Sequence, residues 1–128
     1  MYKNYKYFLS LVICLLSFIS FAQNIDSLKL ALKKADHDTV RCQILMFLAE
    51  TAGDDEWPAF NEQLKNIAEK NIAKDDANKK IYLKYLASAL NNAGVLNDIH
   101  GNSQQALEFY TKSIKLFEEL GDKQSASA

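Results

Sequence analysis

Turn-forming residues are scarce in this chain of 128 residues, which holds one proline and four glycines. Sheet proteins with many tight turns and disordered linkers both need more, so the composition excludes them. Two cysteines are too few for a disulfide scaffold. An excess of one charge is missing as well. Fifteen basic and 16 acidic side chains leave a formal net charge of −1, without the basic face that general nucleic-acid binding requires. The length excludes a multidomain enzyme. What the chain does have is 48% hydrophobic and 24% charged residues, a composition that points to one domain of helices joined by short turns.

The N-terminal stretch reads as a targeting segment. Lys3 and Lys6 form a basic start, and residues 7–21 are apolar apart from Ser10, Ser17 and Ser20. Ser20-Phe21-Ala22 then places small residues where a signal peptidase needs them, before Gln23. The apolar run is shorter than the ~20 residues of a membrane-spanning helix. Leu11-Val12-Ile13 lacks the small residue that lipoprotein processing at Cys14 needs. The expectation is a signal peptide over 1–22, cleavage between Ala22 and Gln23, and an exported protein, periplasmic or secreted, with no stable membrane span. The mature chain then carries 13 basic and 16 acidic groups. Cys42 is left as its only thiol, either buried and inert or linking two copies through a disulfide.

Apolar periodicity divides the mature chain into five helices. The first covers about Ile25 to Ala35, with Ile25, Leu28, Leu32 and Ala35 on one face. The second runs from about Asp38 to Ala52 through Ile44, Leu45 and Leu48, and Gly53 ends it. Asp54 and Asp55 are the expected N-cap of the third, with Pro58 in its first turn and Phe60, Leu64, Ile67 and Ala68 as its stripe. Asp75 or Asp76 is expected to cap the fourth, which passes through Tyr82, Leu86, Ala89, Leu90 and Ala93 to about His100. After Gly101-Asn102, Ser103 is expected to cap the fifth, which ends at Gly121. Connections this short join antiparallel neighbours. The predicted fold is all-α: antiparallel helical hairpins stacked as a short α-solenoid.

The last two helices carry a more specific pattern. Leu90, Gly94, Gly101, Ala106 and Tyr110 have the residue types and spacing of a tetratricopeptide repeat. Gly94 and Ala106 are small where two helices approach closely, Gly101 permits the turn, and Tyr110 fills the gap one turn on. Residues 87–120 therefore resemble one tetratricopeptide (TPR) repeat, and residues 23–86 read as a diverged helical-repeat region. Asn97, where the family has an aromatic, and Glu118, where it has proline, depart from the pattern. The phrasing Ala89-Leu90-Asn91-Asn92-Ala93-Gly94, with Gln105-Ala106-Leu107-Glu108-Phe109-Tyr110 and Glu118-Glu119-Leu120-Gly121-Asp122-Lys123, resembles the exported region of bacterial TPR sensor proteins. In those, repeats precede a transmembrane helix and a cytoplasmic output domain such as a histidine kinase, a cyclase or a DNA-binding module. Residues 121–128 read as the start of a truncated next repeat or as a tail.

Catalytic chemistry finds no support in the residue pattern. His37 lies between Asp36 and Asp38 in one turn, and the other histidine, His100, is remote in the chain, which is no converging zinc set. Asp54-Asp55-Glu56 and Asp75-Asp76 sit where helices begin and complement their dipoles. No glycine-rich phosphate loop and no nucleophile elbow occur. No catalytic residue, metal or cofactor is expected. Trp57 is either an exposed aromatic anchor or the residue that staples a helix start.

Binding remains. The resemblance implies a concave groove with a protein or peptide as the partner, and its position on this repeat implies Ser88, Asn91, Val95 and Asp98. Asn91 has an amide suited to clamp a peptide backbone; as an alternative, these four are plain solvent-facing residues. On the fifth helix the apolar arc spans about 180°, wider than the ~100° stripe of a helix with one neighbour. That width predicts self-association through Phe109, Leu116 and Leu120, hence a possible homo-oligomer. The function expected is a non-catalytic periplasmic interaction module, the sensory part or truncated form of a signal-transduction protein. The alternative is a small secreted, self-associating structural protein.

Overall fold

The computed structural model describes residues 24–121, and every regular element among them is helical. The signal-peptide and lipoprotein readings of residues 1–22, and the tail reading beyond Gly121, lie outside the described residues. Helix α1 covers residues 24–34, α2 Asp38–Thr51, α3 Trp57–Ile72, α4 Lys79–Ile99 and α5 Ser103–Glu119. Among the described residues no helix is long and apolar enough to cross a membrane.

From α2 to α5 each helix packs on the next in the chain, and α2 makes a lighter contact with α4. Cross-helix bonds give the directions. Asn71, late in α3, donates to Asp38 at the start of α2 (2.9 Å), so α2 and α3 are antiparallel. Ser113 donates to the carbonyl of Ala87 (2.7 Å) and Tyr110 to Asp98 (3.2 Å), so α4 and α5 are antiparallel too. The core lies between α2, α3 and α4: Cys42, Leu45, Leu64, Ala68, Tyr82 and Ala89 are buried together, and Leu32 of α1 packs against them. Lys29 of α1 also pairs with Glu56 in the turn before α3 (2.7 Å), its ammonium 5.9 Å from the ring centre of Phe60.

The helix starts differ from those the sequence predicts. Glu56, not Asp54 or Asp55, is the residue before α3. The backbone N–H groups of Glu56 and Trp57 both donate to the carbonyl of Gly53, which closes the turn without a side-chain cap and leaves the acidic group in solvent. Asn78, rather than Asp75 or Asp76, precedes α4. Asp75 instead accepts from both the backbone N–H (3.1 Å) and the side-chain amide (2.8 Å) of Asn78, an Asx-type turn. Asn102, whose carbonyl accepts from Ala106 N–H, caps α5, so Ser103 is its first helical residue. Gly101 and Gly121 adopt φ of 76° and 74°, the left-handed conformation that ends a helix and that glycine takes without strain.

Candidate functional site

Asn61, early in α3, is bonded to Ala89 and Asn92 in the second half of α4, so α3 and α4 are antiparallel and α2 and α4 run in the same direction. A groove lies along the α2–α4 boundary. Its first hollow, about 230 Å³, is lined by Gln43, Met46, Phe47 and Glu50 of α2 and by Tyr85 of α4. The second, about 280 Å³, lies one to two turns on, where Val95 and Ile99 face the end of α2, Asp54 and Trp57. Glu50 and Asn92 also line it. Glu50 thus belongs to both hollows.

Helical spacing puts these residues there. Gln43, Met46, Phe47 and Glu50 recur at three, four and seven residues on α2, as Asn92, Val95 and Ile99 do on α4, so each set shares one face. The opposite face of α2, with Cys42, Leu45, Leu48 and Ala49, enters the core. Apolar side chains remain in water along the groove: Phe47 is 50% exposed, Val95 39% and Ile99 68%. The groove is pinned from below by a buried amide. Asn61 of α3 donates to the carbonyl of Ala89 (2.9 Å) and accepts from the side-chain amide of Asn92 (3.0 Å). No buried side-chain polar atom among the described residues lacks a partner.

The charges lining the two hollows, Glu50 and Asp54, are both negative. Burial pushes the Tyr85 hydroxyl above its ordinary pKa, so it stays a neutral donor and acceptor at physiological pH. Nearby, Asp38 is held below the usual carboxylate range by the Asn71 amide and by Arg41, whose guanidinium lies 2.7 Å away. Arg41 is therefore already engaged. Among the described residues no group of three His, Cys, Asp or Glu side chains is placed to hold a metal ion. Asp38, beside His37, is turned instead to Arg41 and Asn71.

The residues expected from sequence fall in three places. Val95 lines the groove. Ser88 is half-buried and Asn91 exposed on α4, and neither lines the two hollows. Asp98 accepts from the Tyr110 hydroxyl, which ties it to α5. The packing residues Leu90, Gly94 and Ala106 are buried. The three atoms nearest to a Cβ built on Gly94 all belong to the Tyr110 ring. On α5, Phe109, Leu116 and Leu120 are half-buried, and the ammonium of Lys112 lies 5.8 Å from the ring centre of Phe109. Leu107 and Ile114 are the exposed large hydrophobics of that helix, at 65% and 40%.

Sequence reasoning missed Gln43, Met46, Phe47, Glu50, Tyr85 and Ile99. Phe47 lies inside the unbroken apolar run from Ile44 to Ala49, and only its exposure sets it apart from Leu45 and Leu48. Compared with known protein families, curated proteins and solved structures, the chain matches none of them.

Proposed function

We propose that this chain is a non-catalytic protein-interaction module of tetratricopeptide type, which holds a peptide segment of its partner in the groove between α2 and α4. The observation that carries the reading is the row of exposed apolar side chains, Phe47, Val95 and Ile99, set along a groove rather than scattered. Exposed apolar side chains gathered along one groove mark interaction sites. Each hollow is smaller than the 300–1,000 Å³ typical of small-molecule sites, a size that suits single side chains of a peptide. Stacked antiparallel hairpins, with the first helices of both lining the groove, support the repeat reading.

Selection from a displayed library of random dodecapeptides tests it. Peptides recovered on the protein are expected to lose binding to Phe47→Asp while circular dichroism shows unchanged helicity. Recovery of no peptide that distinguishes the two proteins would overturn the reading.

The proposal includes export, with Gln23 as the mature N-terminus, and a place in the sensory part of a signal-transduction protein. Intact mass of the exported protein tests the first point: retention of Met1 would sink it. A second reading, self-association, is favoured by Leu107 and Ile114, exposed seven residues apart on one face of α5. Sedimentation over a range of concentrations tests it: a strictly monomeric protein, unchanged by Leu107→Glu, would exclude it.

A further inference from the structure

Glu50 stands at the junction of the two hollows, with Phe47, Met46 and Tyr85 on one side and Val95, Ile99 and Trp57 on the other. The second charge on the lining, Asp54, has the same sign. An anionic segment laid in this groove would bring its charges against two carboxylates with no lining cation to answer them. A purely apolar segment would cover Glu50 and strip it of water without compensation. A lysine or arginine does neither. Its alkyl stem packs on apolar walls while its cationic head reaches the carboxylate, and the aromatic faces of Phe47 and Tyr85 add favourable contact for a cation.

We infer that the partner segment is basic as well as apolar, with an arginine or lysine seated at Glu50 and apolar side chains in the hollows on either side. The inference rests on the groove reading above and sets its specificity: complementary charge selects the partner, and like charge rejects the wrong one. Glu50 is the residue that determines which.

Two synthetic dodecapeptides with the same apolar positions test it, one carrying arginine and the other glutamate at the remaining positions. Trp57 is the only tryptophan in the chain and lines the groove, so its fluorescence reports occupancy. The arginine peptide is expected to bind about tenfold tighter than the glutamate peptide, because attraction to Glu50 and Asp54 in the first is replaced by like-charge repulsion in the second. Glu50→Lys should remove or reverse that preference, and Phe47→Ala should weaken both peptides. Equal binding of the two peptides, with Phe47→Ala still weakening both, would overturn the charge inference and leave the groove reading standing. Binding of neither peptide, or binding indifferent to Phe47→Ala, would overturn both.

Discussion

The ring of Tyr110 fills the space that a side chain at position 94 would need: a Cβ built on Gly94 would lie 2.5 Å from Cε1 and 2.6 Å from Cδ1 of that ring. Two opposing effects decide what Gly94→Ala does. Alanine gains about 1 kcal/mol of helix propensity over glycine, while overpacking costs about 1–3 kcal/mol. The Tyr110 ring would have to swing away and give up its bond to Asp98, so overpacking wins. Gly94→Ala is expected to destabilise by about 1 kcal/mol in urea denaturation. In a Tyr110→Ala background the sign should reverse, since only the propensity gain remains. An effect of the same sign in both backgrounds would show that the ring is not the obstacle.

Asn61 is 5% exposed and bridges α3 to α4 through Ala89 and Asn92. Replacing it with alanine leaves the Asn92 amide with an unanswered donor beneath the groove. A loss of about 2 kcal/mol is expected, together with loss of whatever the groove binds, because Asn92 forms part of its lining. A double-mutant cycle of Asn61→Ala and Asn92→Ala should give strongly less than additive losses. Simple additivity would mean that the two amides act independently.

Acid sensitivity should trace to Asp38. Its folded pKa is depressed by the Asn71 amide and by Arg41, so the unfolded chain takes up the proton first as pH falls. The stability this carboxylate contributes is therefore complete above the ordinary aspartate value of about 3.9. It is lost as pH drops through that value and on through the lower folded one. Asn71→Ala should flatten the fall of stability with acid over that window, read from urea midpoints between pH 5 and pH 2.5. A pH dependence unchanged from the parent would assign acid lability to other carboxylates.

Cys42 has no exposed surface, and burial pushes its thiol up to about 12. Thiolate is the reactive form, so at pH 8 the folded protein should react with an aromatic disulfide reagent only as fast as it opens, and in denaturant at once. A disulfide-linked dimer of the folded protein is then not expected on a non-reducing gel. Fast native reactivity would place the thiol at the surface.

The helices were legible in the sequence because their apolar residues recur at three and four over long spans, and the ends of α2 and α5 and the C-terminal end of α4 fall within about two residues of the expected ones. The caps were not. Any Asp, Asn or Ser near a helix start is a candidate, and the choice depends on which carbonyl closes the turn, as Gly53 and Asn102 do here. Val95 was legible because it sits in the stretch that resembles a repeat. Its opposite wall was not, because Ile44 to Ala49 is an unbroken apolar run in which periodicity cannot separate Phe47, exposed, from Leu45 and Leu48, buried.

The buried core cluster draws on α2, α3 and α4, whereas α5 buries only Ala106 and Ser113 and, among α2 to α5, packs on α4 alone. The chain should therefore open in steps. Local opening free energies span the range from near zero to the global value, and a helix held by one neighbour belongs at the lower end. In native-state hydrogen exchange, the amides of α5 should exchange through a detachment that leaves α2 to α4 folded, while those around Leu45, Leu64 and Ala89 wait for global unfolding. Each such detachment uncovers Gly94 and the Ala87 carbonyl on α4, a strip that a helix from another chain could occupy before α5 returns.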